Sequence, residues 1–319
     1  MLQYNKKGKE AISLKKCIVI YNPNSGNKEV KKYLPQIEKI LNKKDYEVEI
    51  YATNYKKHAT NIVENLPKVD LVMSFGGDGT FNEVMTGNLN RKEQLLLTHI
   101  PVGTTNDIGG MLGYTKNILD NVKLSLNGTI KPFDIGIINN HPFIYIAGFG
   151  KYTNISYQTP RDLKKKIGHL AYIKEGIKEF FHKTKLYDIT YEIDGEKYRG
   201  LFSFVLISNA NHIAGVKNIY KDIKLDDDKF EAVFCTIRKP RDVIKSIYFL
   251  TKYGPSKVPG IYFYKTNNLK LTINNTTSAS WCVDGEELPK DEHNKYTIKT
   301  VNHVNILIPN KNINKLFLK

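Results

Sequence analysis

Strand-like and helix-like segments alternate through the first third of this 319-residue chain. Short apolar runs predict strands at residues 16–21, 46–51, 69–73 and 94–100, and helical spacing of apolar residues predicts helices at 29–41, 58–66 and 82–87. This order is typical of βαβ units, in which helices cover a parallel sheet. Because ligands of such sheets bind at the carboxyl ends of the strands, the loops after the strands are the candidate binding loops.

The sequence pattern changes at about residue 131, where β-branched and aromatic runs separated by turns begin. These runs predict strands at residues 135–138, 143–147, 187–193, 201–208, 232–237, 260–264, 269–273 and 279–283. The second part of the chain is therefore expected to be mainly antiparallel β. Apolar residues at helical spacing predict a helix over residues 163–181, and the run 304–309 is expected to return to the first domain.

The loop after the third predicted strand carries three glycines in four positions, Gly76, Gly77 and Gly79. Glycine lets the backbone reach positive φ and approach a ligand closely, and the helix that follows offers unpaired N–H groups and a positive dipole end. These properties predict a phosphate-binding turn. The alternative is a tight strand-to-helix connection that binds nothing.

A second polar turn, Gly103-Thr104-Thr105-Asn106-Asp107, follows the fourth predicted strand. Its hydroxyls and amide can donate to phosphate or adenine, and Asp107 is expected to cap the helix beginning near Ile108. Two such turns on adjacent strands predict a nucleotide cleft. The sequence has no GxxxxGK[ST] and no GxGxxG that opens a helix, which excludes a P-loop and leaves a Rossmann dinucleotide site without support.

Composition limits the class of protein. The chain has 48 Lys and Arg against 32 Asp and Glu, a net charge of +16, which indicates polyanionic partners unless it reflects a general compositional bias. Three scattered cysteines without CxxC spacing indicate a reducing compartment and argue against a zinc site. Since no apolar run reaches the roughly 18 residues of a spanning helix and no signal peptide is recognisable, we expect a cytoplasmic protein.

The two turns carry a resemblance to a known family. GGDGT at residues 76–80 with Asn82 and Glu83, followed by PVGTTND at 101–107, resembles the bacterial diacylglycerol kinases and related lipid kinases, which share their catalytic domain with sphingosine and ceramide kinases. Matching pieces elsewhere are NPNSG at 22–26, FDIG at 133–136, the helix at 168–172 and VDGE at 283–286. The resemblance covers essentially the whole chain.

The resemblance implies ATP and Mg²⁺ as cofactors and an α/β plus mainly-β fold. A three-layer α/β nucleotide-binding domain would comprise residues 1–132, completed by 304–319, and an antiparallel β-sandwich-like domain would comprise 133–303, with a cleft between them. The residues implied to line the nucleotide site are Asn22, Pro23, Asn24, Ser25, Gly26, Thr53, Gly76, Gly77, Asp78, Gly79, Thr80, Phe81, Asn82 and Thr104, with Thr105 as the alternative to Thr104.

Three carboxylates are the implied catalytic residues: Asp78, Asp284 and Glu286. Glu286 matches the family's proton acceptor, and such a base accelerates attack by an alcohol roughly 10²- to 10⁴-fold. Asp78 either organises Mg²⁺ and water or acts on the substrate hydroxyl, as the aspartate of the same turn does in the related NAD kinases. Without the resemblance, the turn at 284–286 is simply a hairpin.

The acidic stretch at residues 224–229 resembles a family segment that binds structural Mg²⁺ through Asp227 and through backbone carbonyls near Lys224 and Lys229. Oxygen ligands suit this ion. Two departures weaken the match, because the family usually has glycine where Asp228 stands and proline where Lys221 stands. The alternative is a solvated acidic turn.

The implied substrate is a membrane lipid, with diacylglycerol as the leading candidate, and the implied partners include no nucleic acid. Residues 161–185 hold eight Lys and Arg against three acidic residues, which predicts reversible, peripheral binding to the anionic inner face of the membrane, unless this helix packs on the β domain. A homodimer is compatible with the resemblance. The rival functions are an NAD kinase-like soluble kinase and a non-catalytic regulator that binds nucleotide or membrane.

Overall fold

The computed structural model describes residues 14–104, 106–151, 184–210, 220, 223–239, 242, 246, 253–254, 257–311 and 313–318. The predicted helix at 163–181 and residue Thr105 lie outside this part of the chain. The first half consists of β1 (Lys15–Tyr21), a 3-10 turn (Gly26–Lys28), α1 (Val30–Asn42), β2 (Tyr46–Ala52), α2 (His58–Asn65), β3 (Leu71–Gly76), α3 (Asp78–Leu89), β4 (Leu97–Pro101), α4 (Asp107–Met111) and α5 (Ile118–Leu126).

The second half is built mainly from strands, which are β5 (Thr129–Ile138), β6 (His141–Phe143), β7 (Ile146–Gly150), β8 (Tyr187–Ile193), β9 (Glu196–Phe202), β10 (Phe204–Ser208), β11 (Phe230–Cys235), β12 (Ile261–Thr266), β13 (Asn268–Ile273), β14 (Trp281–Val283), β15 (Glu286–Glu287) and β16 (Lys295–Ile308), before the short α6 (Ile313–Leu316). No helix in the described ranges is both long and apolar enough to cross a bilayer.

The larger sheet joins the two halves of the chain. Its order is β2-β1-β3-β4-β16-β13-β8-β9, with β5 beside β16 and β6 beside β5. Strands β2, β1, β3 and β4 are parallel neighbours, whereas β16, β13, β8 and β9 pair antiparallel. Ile306 of β16 pairs in parallel with Leu97 of β4, so the last long strand extends the parallel part.

Alternate residues of β1 pack on opposite faces of the parallel part. Cys17 and Val19 belong to the core cluster that includes α1 and α5, whereas Ile18 and Ile20 belong to the cluster that includes α2 and α3. A strand buried on both faces is apolar throughout, which explains the continuous apolar run of the sequence. The result is the predicted three-layer α/β arrangement.

The smaller sheet is antiparallel, with the order β12-β11-β10-β7-β14-β15. Its Phe149, Phe234 and Trp281 share a buried core cluster with Ile189 and Ile298 of the larger sheet. Two sheets packed through apolar inner faces form a sandwich. The predicted fold class, α/β plus mainly antiparallel β, is therefore confirmed.

Two predicted strands are each divided in the structure. The run 201–208 splits at Ser203, where β9 of the larger sheet ends and β10 of the smaller sheet begins, and the N–H of Ser203 donates to the carbonyl of Cys235 at 2.6 Å. The run 143–147 splits because the N–H groups of Ile144 and Tyr145 donate to the Asp284 carboxylate rather than to a strand. Both breaks follow from tertiary contacts.

Candidate active site

The loops after β1, β3 and β4 meet at one edge of the parallel sheet. The N–H of Asn22 donates to the carbonyl of Phe75 at 3.0 Å, and its side-chain amide lies 3.5 Å from Oγ1 of Thr80. The N–H of Val102 donates to the carbonyl of Gly76 at 2.8 Å. These hydrogen bonds set the spacing of the three loops.

The glycines of the turns after β3 and β4 allow close packing rather than unusual backbone angles. Gly76, Gly77 and Gly79 do not adopt positive φ, so the prediction that they reach this region is wrong. A Cβ on Gly76 would lie 2.3 Å from the side chain of Thr80, and a Cβ on Gly103 would lie 2.5 Å from the Cα of Gly77. Larger residues would push the two turns apart.

Gly79 has no comparable structural constraint. Among the described residues, no atom lies within 4 Å of a Cβ built at this position, and the residue is exposed in the first turn of α3. Glycine inside a helix costs about 1 kcal/mol relative to alanine, so nothing in the protein itself favours it here. The open space lies beside the first N–H groups of α3, where a phosphate group would bind.

Asp78 connects the glycine turn to α4. Its Oδ2 accepts a hydrogen bond from the N–H of Asp107 at 3.1 Å, and its Oδ1 accepts one from the N–H of Ile108 at 3.3 Å. The expected cap, Asp107, is wrong, because Asn106 precedes this helix and Asp107 lies in its first turn. Burial, followed by the nearby Asp107 and Asp284 carboxylates, raises the pKa of Asp78 to about 7.

Glu83 has a capping role that the sequence reasoning missed. Its carboxylate accepts hydrogen bonds from the N–H of Lys57 at 2.8 Å and from the N–H of Ala59 at 3.2 Å, at the start of α2. A carboxylate is favourable at a helix N-terminus. The sequence showed that Glu83 follows the glycine turn closely. It did not show that the carboxylate of Glu83 would contact the start of α2.

Asp284 links α3 to the connection between β6 and β7. It adopts positive φ (46°) and is buried. Its carboxylate accepts hydrogen bonds from the N–H groups of Ile144 (2.6 Å), Tyr145 (3.2 Å) and Ile146 (3.0 Å), and from the side-chain amide of Asn82 (2.8 Å). Burial raises the pKa of Asp284, and the donated hydrogen bonds oppose that shift.

Glu286, two residues further on, is exposed and reaches across the cleft. Its Oε2 lies 2.9 Å from Nζ of Lys56, in the loop between β2 and α2. The sequence reasoning did not single out Lys56. Both side chains of this ion pair are exposed to solvent, so the pair contributes roughly 0–1 kcal/mol to stability.

The other implied nucleotide residues fall into two groups. Asn24 and Thr104 are exposed, and Pro23, Ser25 and Gly26 are half-buried, all in the loops that meet at the sheet edge. The side chain of Phe81, in contrast, is fully buried and stacks on His99 with ring centroids 4.7 Å apart. Only the backbone of Phe81 can therefore face a nucleotide. Thr53 is buried beside the end of β1, where its N–H donates to the carbonyl of Tyr21 at 2.9 Å.

The implied magnesium ligand Asp227 already has partners on both oxygens. Its Oδ2 lies 2.6 Å from Nζ of Lys265, and its Oδ1 accepts a hydrogen bond from the N–H of Lys229 at 3.2 Å. The side chain of Lys224 donates to the carbonyl of Lys315 at 3.1 Å. A cation at Asp227 would therefore compete with the ammonium group of Lys265 for this carboxylate.

Comparison with known proteins identifies the family. Residues 16–138 match the diacylglycerol kinase catalytic domain. The chain is 30% identical to a diacylglycerol kinase of Bacillus subtilis (strain 168) over 309 residues, which are 95% of this chain and 99% of that protein. It is 31% identical to a diacylglycerol kinase of Staphylococcus epidermidis (strain ATCC 12228 / FDA PCI 1200) over 307 residues, 96% of each.

Solved structures support the same fold. A diacylglycerol kinase from Bacillus anthracis str. Sterne superposes with a TM-score of 0.74 at 22% identity, over 93% of this chain and 98% of that one. At this sequence identity the structural similarity shows the fold alone. The sequence relatives span nearly the full length of the chain, and on that ground this protein belongs to the bacterial diacylglycerol kinase family.

Proposed function

We propose that this enzyme transfers the γ-phosphoryl group of ATP to the free hydroxyl of diacylglycerol and produces phosphatidic acid. The observation that carries the proposal is the hydrogen bond from Asn82 to Asp284, because it joins the helix of the glycine turn to the turn that bears Glu286. The turn that bears Glu286 is thus attached to the helix that follows the proposed phosphate-binding turn. A protein that only bound nucleotide would not need this arrangement.

ATP would bind along the loops after β1, β3 and β4. The open space at Gly79 supports a phosphate there, and the exposed Asn24 and Thr104 support contacts further along the nucleotide. The +16 net charge favours this polyanionic substrate. The family implies ATP and usually a divalent metal, and we take this metal to be Mg²⁺.

Mg²⁺ bound with ATP would neutralise phosphate charge during transfer. The protein group that fits it is the carboxylate of Asp78, which lies at the glycine turn and keeps lone pairs beyond its two backbone hydrogen bonds. The same position is compatible with action on the substrate hydroxyl. If Asp78 holds the metal, its replacement should weaken metal binding. If it acts on the substrate hydroxyl, its replacement should lower turnover alone.

Glu286 is the proposed general base. Its carboxylate would take the proton of the lipid hydroxyl while that oxygen forms a bond to the γ-phosphorus and the bond to the leaving ADP oxygen breaks. Exposure of Glu286 in the cleft supports this role, since a substrate can reach it. The ammonium group of Lys56, which pairs with Glu286, would also attract an incoming phosphate.

The remaining parts of the proposal concern organisation and location. We take residues 1–132 with 304–319 as the nucleotide domain and 133–303 as the lipid domain. The positive charge supports reversible, peripheral binding of this cytoplasmic protein to the inner face of the membrane, which contains the lipid substrate. A homodimer is compatible with this arrangement.

One assay tests the function. The full chain is incubated with Mg-ATP and mixed micelles that contain diacylglycerol, phosphatidylglycerol, ceramide or no lipid, and in a separate reaction with soluble NAD. We expect phosphate transfer to diacylglycerol. Phosphorylation of NAD alone would overturn the lipid kinase proposal, and an absence of product with every acceptor would favour a non-catalytic regulator.

A further inference from the structure

A second group of ionisable side chains lies away from the cleft. Among the described residues, Asp134 of β5, Asp228 and His303 of β16 each offer one ligand atom, and these atoms lie within 4.8 Å of one another. Nδ1 of His303 is 3.1 Å from Oδ1 of Asp134, and Nε2 of His303 is 3.7 Å from Oδ1 of Asp228. Ligand atoms that share one metal ion at about 2.0–2.2 Å stand at similar distances from each other.

The shortest of these contacts joins two atoms that are hidden from solvent. Oδ1 of Asp134 and Nδ1 of His303 face each other, both shielded from solvent, and within the described part of the chain neither atom forms a hydrogen bond of ordinary geometry. The Asp134 residue is fully buried, and its other oxygen accepts the N–H of Asp228 at 2.7 Å. Buried polar atoms are almost always satisfied, and one cation shared by these two atoms would satisfy both of them.

The local backbone brings the three residues together. Asp228 has positive φ (59°), which explains why glycine is usual at this position in the family and why aspartate is tolerated. The pairing of β16 with β5 shifts register between Val301 and Val304, and His303 lies in this irregular segment. The departure from glycine adds the carboxylate of Asp228 to the group.

The neighbouring acidic pair is occupied by a different cation. Nζ of Lys265 lies 2.6 Å from Asp227 and 3.7 Å from the buried Glu231. The ammonium group therefore neutralises the carboxylate that the family resemblance assigns to structural Mg²⁺. It leaves Asp134, Asp228 and His303 as a separate donor set that contains nitrogen.

We propose that Asp134, Asp228 and His303 form a binding site for a divalent transition-metal ion, such as Zn²⁺, in preference to Mg²⁺. An imidazole nitrogen suits Zn²⁺, Co²⁺ and Ni²⁺, whereas Mg²⁺ prefers oxygen ligands alone. Because no donor is a cysteine, the cysteine spacing in the sequence gave no sign of this site. The site goes beyond the kinase reaction and does not depend on it.

The position of the site gives it a structural consequence. The side-chain amide of Asn209 donates to the carbonyl of Asp134 at 2.7 Å, and the N–H of Asn209 donates to the carbonyl of Tyr145 at 2.9 Å. The N–H of Tyr145 in turn donates to Asp284. A bound ion would therefore stiffen the segment that holds Asp284 in the cleft.

The test is metal binding by the full chain after treatment with a chelator and in the absence of ATP. Zn²⁺ binding is followed by calorimetry, Co²⁺ binding by its visible absorption, and stability by thermal unfolding. We expect one Zn²⁺ per chain, a higher Tm with Zn²⁺, Co²⁺ bands that report nitrogen and oxygen ligands, and no competition from millimolar Mg²⁺.

The variants His303→Asn and Asp228→Gly should weaken Zn²⁺ binding at least tenfold, whereas His293→Asn, at an exposed histidine, should bind like the wild type. The Tm of each variant in chelator separates lost binding from misfolding. Equal Zn²⁺ affinity in wild type and His303→Asn would overturn the proposal. Loss of Zn²⁺ binding in Asp227→Asn together with unchanged binding in His303→Asn would also overturn it. The same holds if Mg²⁺ competes with Zn²⁺ equally well.

Discussion

The side-chain amide nitrogen of Asn82 lies 2.8 Å from Oδ2 of Asp284, although the two residues are 202 positions apart in the sequence. Asn82 belongs to the helix of the glycine turn, and Asp284 to the hairpin that carries Glu286. Their hydrogen bond fixes the distance between the proposed phosphate site and the proposed base. The alignment of the two halves of the active site therefore depends on this pair.

Replacement of Asn82 by aspartate should destabilise the protein and reduce turnover. The substitution places a second carboxylate beside the buried Asp284 and removes one of its donors, which costs roughly 1–3 kcal/mol. We expect a lower Tm and a loss of kcat. Thermal unfolding and steady-state kinetics measure both, with Asn61→Asp at an exposed position of α2 as the matched control. A Tm equal to that of the control would contradict the proposed importance of this contact.

Gly79→Ala should separate ligand binding from folding. In the part of the chain that the structure describes, nothing lies within 4 Å of the added Cβ, and alanine favours a helix by about 1 kcal/mol, so Tm should stay constant or rise. The Cβ would nevertheless enter the proposed phosphate space, so KM for ATP should increase about tenfold or more.

Gly103→Ala provides the contrast, because its Cβ would lie 2.5 Å from the Cα of Gly77. This variant should lose both stability and ATP affinity, since overpacking costs roughly 1–3 kcal/mol. Unchanged ATP affinity in Gly79→Ala would show that no phosphate binds beside this turn.

Glu286→Gln should lower kcat by about 10²- to 10⁴-fold, because glutamine cannot accept the proton of the lipid hydroxyl. KM for ATP should change little. The adjacent Glu287→Gln is the control, since Glu287 is also exposed and lies in the same short strand. Similar kcat values for the two variants would rule out Glu286 as the base.

The raised pKa of Asp78, about 7, predicts a pH dependence of stability. In the unfolded chain an aspartate titrates near 3.9, so the native protein holds this proton more tightly. The contribution of Asp78 to stability should therefore fall as pH rises from about 4 to about 7 and then level off. Denaturant unfolding of wild type and Asp78→Asn across this range should show Asp78→Asn gaining relative stability; parallel profiles would argue against the shift.

The sequence determined the order of the first seven elements, the mainly antiparallel second half and the three polar loops at the sheet edge. These features depend on local patterns: apolar runs, helical spacing and turn-forming residues, all of which lie within a few positions of each other. The glycine turn was located for the same reason. The backbone angles of this turn could not be predicted in the same way. Gly76 and Gly103 are required by packing against Thr80 and Gly77 rather than by positive φ.

The contacts between these side chains depend on the tertiary structure. Asp78 caps a helix that begins 29 positions later, Asp284 breaks the predicted strand at 143–147 by taking its N–H groups, and Asp134 meets His303 through an irregularity in β16. Hydrogen bonds between residues distant in sequence depend on the path of the whole backbone, and no local pattern encodes that path. For that reason the sequence, through the family resemblance, could propose residues for the candidate site but could not show which side chains they contact.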